Sequence, residues 1–247
     1  MALLASFLAW QSWSAPLTAE ATGEVLAVAL PDGSTASLAP GATLTYRRGF
    51  GALIGTPETR RVALVGEAFF SVEAAEAPFV VETFNARVEV LGTRFNVRAH
   101  WRERATRVAV EEGRVRVSAG GEAVELAAAE GSVVAVPAEA SGEAVPSAPV
   151  PADVDRALAW REGGLALTAV PLAAAFEELE RRYGVEITLG PGVPTGADVT
   201  AFYASAPDVR TVLGDLCAAH GLRFRATSRG FEVVADPDAR PRVSRSS

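Results

Sequence analysis

Residues 21–137 are built from short runs in which apolar residues recur at every second position, with turn residues between the runs. Period two is the spacing of a strand with one buried face, and repeated short runs of it point to a β-stack rather than to helices. Asp32-Gly33 lies between the runs at 25–30 and 35–38 and reads as a two-residue hairpin. Val62 and Leu64, then Phe70 and Val72, alternate around Gly66. Val88 and Val90, then Phe95 and Val97, alternate around Gly92. Val108 and Val110 are separated from Val115 and Val117 by Glu112-Gly113, which again reads as a hairpin. No stretch here keeps apolar residues at helical spacing for three turns. The expectation is an all-β domain over 21–137, of β-sandwich, jelly-roll-like or stacked-β form.

The pattern changes twice beyond it. Residues 138–153 begin AEASGEAVPSAPVP, rich in Ala, Pro, Ser and Glu without period, and read as a linker. Residues 154–235 then follow a βαββαββ plan. One helix puts Leu172, Phe176, Leu179 and Tyr183 on one face, with Pro171 beside its first turn and Gly184 as its stop. A second puts Val209, Leu213, Leu216 and His220 on one face and stops at Gly221; Ser205 and Asp208 before it have capping-box spacing. The halves superimpose at a fixed offset: Leu172 on Val209, Phe176 on Leu213, Gly184 on Gly221, Ile187 on Phe224. A duplicated strand-helix-strand predicts a smaller α+β domain, one sheet with both helices on one face. The whole chain is thus expected to be mainly β with a smaller α+β part. Residues 236–247 read as a disordered tail.

The first twenty residues stand apart. MALLASFLAWQSW (1–13) is apolar and uncharged, yet short of the roughly twenty residues a spanning helix needs. It lacks the positive charge that precedes a signal-peptide core, although Ser12-Trp13-Ser14 offers a small-x-small cleavage pattern. A buried helix and the outer half of a membrane helix are the other readings; the expectation is a membrane-associated or signal-like segment over 1–20.

Composition narrows the function. With 247 residues, 49% of them hydrophobic, the chain can bury real cores in two modest domains. Its formal charge of −7 is spread along the chain and leaves no basic stripe for a phosphate backbone, so no nucleic acid is expected. One cysteine, Cys217, excludes an intrachain disulfide and a Cys-pair zinc site.

Five segments in order carry a family resemblance: LPDGSTASLAPGATLTY (30–46), RRVALVGEAFFSVE (60–73), PFVVET (78–83), VEVLGTRFNVRA (88–99) and VAVEEGRVRV (108–117). Together they resemble the FecR domain. The pieces at 160–167, Pro171-Leu172 and LERRYGVEI (179–187) resemble the C-terminal domain of the same proteins, related to the short secretin and TonB N-terminal fold. The resemblance implies a transmembrane anti-sigma regulator, of which these are the periplasmic parts, tethered to the inner membrane. Its partners would be the signalling domain of a TonB-dependent outer-membrane transporter and, through a cytoplasmic domain that this chain does not carry, an extracytoplasmic-function sigma factor. A secretin-like envelope protein and a cupin-like ligand-binding β-domain are the alternatives.

Catalytic constellations are weak. Gly92-Thr93 is the candidate: a Thr hydroxyl can attack the preceding carbonyl, and the resemblance adds self-cleavage at such a bond. The plainer reading is that Gly92 bends the strand and Thr93 holds a β position. His100 and His220 have no metal-ligand spacing; Glu111 and Glu112, as strand neighbours, point to opposite faces; Gly120-Gly121 reads as a turn. No enzyme, cofactor or metal is expected. Binding by strand addition is the better-founded activity, with Val199, Ala201, Phe202 and Tyr203 on one candidate edge and Phe231 and Val233 on the other.

Overall fold

A computed structural model describes residues 15–51, 57–137, 142–205 and 207–237. The chain forms two compact units, Met1–Arg161 and Glu162–Ser247. The apolar segment at 1–13 lies outside the described residues, but Pro16–Glu20 is already a strand (β1) of the first unit. Among the described residues no helix is long and apolar enough to cross a membrane.

The first unit continues with β2 (Leu26–Ala29), β3 (Thr35–Leu38), β4 (Thr43–Arg47), β5 (Arg60–Ser71), β6 (Phe79–Glu82) and β7 (Arg87–Val90). Then come β8 (Arg94–His100), β9 (Ala105–Glu112), β10 (Arg114–Ala119), β11 (Glu122–Ala127) and β12 (Glu130–Ala135), with a two-residue β13 (Val150–Pro151). They make one curled, mainly antiparallel sheet of two leaves that share β5. One leaf runs β11-β10-β7-β6-β5-β4-β1 and the other β2-β3-β5-β8-β9-β12-β13. The first half of β5 pairs with β4 and β6, and from Gly66 on it pairs with β3 and β8. Alternate residues of both leaves, among them Leu44, Leu64, Phe70, Phe79, Phe95, Val97, Val110 and Val117, fill a common core.

Three of the glycines singled out in the sequence are corners rather than hairpin tips. Gly66 stands at φ +100, and a Cβ there would come within 2.8 Å of the Ala42 backbone, so β5 turns from leaf to leaf where only Gly fits. Gly92 joins β7 to β8, which lie in different leaves, and a Cβ on it would meet Ala74 at 2.8 Å. Glu112-Gly113 joins β9 to β10, and these two do not pair: β9 lies between β8 and β12, β10 between β7 and β11. The expected hairpin at Glu112-Gly113 is therefore a crossing between leaves. Local sequence reads the same in both cases, because either turn needs a positive φ and flanking period-two runs. Asp32-Gly33 does close a hairpin, but its loop has three residues rather than the expected two: Leu30 N donates to Ser34 O at 2.8 Å, with Pro31, Asp32 and Gly33 between them.

A buried guanidinium ties the curl together. Arg60, at the start of β5, is only 2% exposed. Its Nη1 donates to Asp32 Oδ2 (2.7 Å) and Glu73 O (2.8 Å), Nε to Ala77 O (2.9 Å) and Nη2 to Leu91 O (3.0 Å). Asp32 also accepts from Ser34 N and Oγ, and Ser34 Oγ accepts from Glu73 N. One side chain thus links the first residue of β5 to the segment just after its last.

The segment expected as a linker, 138–153, is described from residue 142. Ser147 N donates to Val133 O, Ser132 Oγ to Ser147 O, and β13 pairs with β12. A proline suits such an edge because its missing N–H would have faced outward. Asp153 caps α1 (Val154–Leu158), and Trp160 is buried with Ala39 and Phe69, so the first unit extends to Arg161.

On the side of β8 away from the core, Asn96, Arg98 and His100 are also buried. Asn96 accepts from Trp160 Nε1 (3.3 Å) and donates to Glu67 (2.8 Å). Arg98 pairs with Glu67 (2.6 Å) and Glu103, and Arg107 pairs with Glu103 (2.9 Å). Burial raises the Glu103 carboxyl's pKa, but Arg98 and its neighbours outweigh this and hold it below the usual glutamate value.

The second unit is β14 (Leu165–Pro171), α2 (Leu172–Tyr183), β15 (Glu186–Leu189), β16 (Asp198–Tyr203), α3 (Val209–His220), β17 (Leu222–Ala226) and β18 (Gly230–Ala235). This is the expected βαββαββ order. Both helices have 12 residues, and the Gly184 and Gly221 C-caps stand at φ 63 and 65. The N-cap of α3 is Asp208, which accepts from Arg210 N, rather than Ser205. The strands do not form the single expected sheet. β14 pairs with β16 alone, while β18 lies between β15 (parallel) and β17 (antiparallel). β18 thus stands between β15 and β17, the second strands of the two repeats, and keeps them from pairing. Leu172, Phe176, Leu179, Leu213, Leu216, Phe231 and Val233 share the core.

Two outcomes test this account. Arg60→Met leaves Asp32 and three carbonyls without their donor, and should cost about 3–5 kcal/mol in a urea titration. Because the folded Glu103 pKa is lowered, the unfolded chain binds the extra proton in acid. Its stability contribution is present above the usual glutamate pKa of about 4.3 and is lost as pH falls through the lower folded value. The urea midpoint should therefore drop in that acid window, and Glu103→Gln should flatten the drop.

Candidate partner-binding edge and the Gly92-Thr93 turn

The second unit keeps one strand edge beside an exposed aromatic. β16 has a strand partner on one side only among the described residues, in the register Leu165 to Tyr203 through Pro171 to Asp198. β14 is interrupted between Leu167 and Val170, where Ala169 stands at φ 46 and its N–H turns to Thr200 Oγ1 (3.1 Å). Such a bulge spoils β14 as a template for another strand. β16 is regular.

Along β16 the faces separate. Val199 is 2% exposed and belongs to the core, with Ala201 and Tyr203 packed partly against it. Phe202 points the other way and is 45% exposed. Tyr203 reaches its partner at the end of the strand: its hydroxyl donates to Asp215 Oδ2 at 2.8 Å. Burial, and then that bond, push the Tyr203 phenol up to about 12, so it stays protonated and donating at neutral pH. Phe202 and Tyr203 thus divide into an exposed aromatic and a packed one, as neighbours on a strand must.

The second expected edge is corrected. Phe231 and Val233 lie on β18, the middle strand of its sheet, and are 5% and 0% exposed. They are core residues, with Phe231 edge-on to Phe224. Their alternation is that of an edge strand with one buried face, so the sequence could not separate the two.

Gly92 and Thr93 occupy the corner between β7 and β8. Thr93 is 4% exposed, its hydroxyl donates to Arg114 O (2.9 Å), and its carbonyl accepts from Val72 N (3.0 Å). Close approach to Ala74 accounts for the glycine and the bond to Arg114 for the threonine. A nucleophilic hydroxyl needs a base to take its proton, and here the proton points at a carbonyl. Thr93→Val should therefore cost about 1–3 kcal/mol of stability by leaving Arg114 O unpaired. Intact-mass measurement after prolonged incubation should give one undivided chain; fragments ending at Gly92 would reveal an active bond.

The remaining chemical residues are structural. His220 Nδ1 lies 2.9 Å from Leu216 O and closes the last turn of α3. Cys217 is buried, and burial pushes its thiol up to about 11. Glu111 pairs with Arg94 at the surface.

None of the curated proteins matches the chain. Residues 18–116 match the family model described as FecR protein. The chain carries a FecR domain. The match runs from within β1 into β10, and so covers β5, the corners at Gly66, Gly92 and Gly113, and the Arg60 network. The compact unit that holds the FecR domain goes further, adding β11, β12, β13 and Trp160. Two crystal structures of a candidate anti-sigma factor from Parabacteroides distasonis resemble the chain with TM-scores of 0.76 and 0.74. Each is 29% identical to it and covers 90% of this chain and 99% of that one. The likeness therefore takes in both the FecR-domain unit and the α+β unit.

Proposed function

We propose that this chain is the periplasmic sensor part of a FecR-type anti-sigma regulator, acting by protein–protein binding. In this reading the signalling domain of a TonB-dependent outer-membrane transporter docks on the α+β unit. The signal then passes through a connection at the inner membrane to an extracytoplasmic-function sigma factor. The FecR domain supports the regulator class, and the likeness to a candidate anti-sigma factor over 90% of the chain supports the sigma-factor end.

The observation that carries the docking reading is the β16 edge with Phe202 beside it. A strand added to β16 would gain main-chain hydrogen bonds, while Phe202 would supply the apolar anchor that sets register and affinity. Tyr203, held by Asp215, and Val199, held in the core, keep the strand straight for it.

The test is a calorimetric titration of the chain with the signalling domain of the transporter encoded beside it. Binding is expected, and Phe202→Ala should weaken it by about 2 kcal/mol or more, an aromatic anchor's usual loss, while leaving the thermal melt unchanged. No binding by the unaltered chain would overturn the transporter reading. Binding indifferent to Phe202→Ala would move the docking site away from β16.

A further inference from the structure

Edge strands accept other strands unless something prevents it, and the usual preventives are a charge, a proline or a bulge. Nearly every edge among the described residues carries one. In the first unit β1 holds Pro16 and Glu20, β11 holds Glu122 and Glu125, and β13 ends on Pro151. In the second, β14 has its bulge and Pro171, β15 has Glu186, and β17 has Arg223 and Arg225, while β16, the edge assigned to the partner above, carries a charge only at its first residue, Asp198. β2 (Leu26–Ala29) has none: its residues are Leu, Ala, Val, Ala, and Val25 precedes it. Val25 and Leu26 are 42% and 37% exposed, so this edge presents apolar side chains rather than charge.

The backbone of this edge is poised for pairing. Leu30 N donates to Ser34 O, so the pairs Val28–Ala36 and Leu26–Leu38 are the hydrogen-bonded ones of the β2–β3 hairpin. The alternate residues Val25, Ala27 and Ala29 therefore turn their N–H and C=O groups away from β3, toward open edge.

We infer that β2 is a self-association edge, on which two copies of this chain join antiparallel about a two-fold axis at Ala27. That axis sets Ala27 against its own copy and Val25 against Ala29, which engages all three outward residues in about six main-chain hydrogen bonds. Leu26 falls beside Val28 of the other copy, on the face where Leu38 and Ala36 are fully buried, so the apolar face continues across the joint. The apolar register is what fits a second copy, since Leu26 and Val28 answer each other across the axis with no charge between them. Glu24 meets Leu30 and Asp32 meets Thr22, so no acid faces an acid, although the chain's net charge of −7 opposes most other self-contacts. The dimer would join the β2 leaves of two FecR domains into one continuous sheet.

Light scattering on the full chain over a range of concentrations tests this. The expected result is a concentration-dependent rise from 25.7 kDa to twice that mass. Ala27→Lys places like charges on the axis and should abolish the rise; Ala27 is exposed, so the melting temperature should not change at concentrations where both chains are monomeric. Ala27→Cys should give a disulfide-linked dimer on mild oxidation, since the pair would sit about 5.5 Å apart between Cα atoms, within disulfide reach. The buried Cys217 does not compete. A single-chain mass at every concentration would overturn the inference. So would a dimer that survives Ala27→Lys, or an Ala27→Cys variant that stays monomeric when oxidised.

Discussion

The curled sheet of the first unit depends on Arg60. A strand as long as β5 belongs to two leaves only if its ends are held near each other, and the Arg60 guanidinium does this from inside. It spends four donors on Asp32, Glu73, Ala77 and Leu91. Phe79 lies under the guanidinium at 5.7 Å from its ring centroid. A planar fork of fixed donors suits this better than a lysine's single point of charge, since three of its acceptors are carbonyls, two in the β5–β6 connection and one at the β7–β8 corner. Burying a charge is costly unless every donor is met, and that requirement fixes one arrangement of the loops around it. The Asp32 turn and the β7–β8 corner are thereby positioned together.

The second buried polar cluster, Glu67, Arg98, Glu103 and Arg107, does comparable work on the other side of β8. It explains why a strand reading Arg-Phe-Asn-Val-Arg-Ala-His is buried nearly throughout. Phe95, Val97 and Ala99 satisfy the hydrophobic core, while Asn96 and Arg98 satisfy each other's neighbours. From the sequence this strand looks half solvated. The partners that bury its polar face lie 29 and 31 residues away in β5 and 64 away at Trp160, and no local pattern announces them.

Where the site is concerned, the sequence resolved faces better than edges. Phe202 exposed and Tyr203 packed follows from period two alone. Which strands have an open side does not: β16 and β18 carry similar alternation, yet β18 is enclosed between β15 and β17. The same blindness affected the turns. Asp32-Gly33 closes a hairpin and Glu112-Gly113 crosses between leaves, although both present an acidic residue and a glycine between apolar runs. Pairing is a long-range choice, made by whichever strand covers the free backbone groups, whereas turn chemistry is local.

The sequence by itself determined the strand-rich first unit, the βαββαββ order of the second, the repeat of its two helices and the residues that line each core. These follow from periodicity and capping, which act over a few residues. The five ordered segments also carried the FecR resemblance that the family match upholds. Tertiary structure alone decided that β5 serves two leaves, that the second unit has two sheets, that the proline-rich stretch before Val150 lies along β12, and which edges stay bare. Each of these rests on groups far apart in the chain meeting, because buried backbone and charge must find partners wherever the fold supplies them.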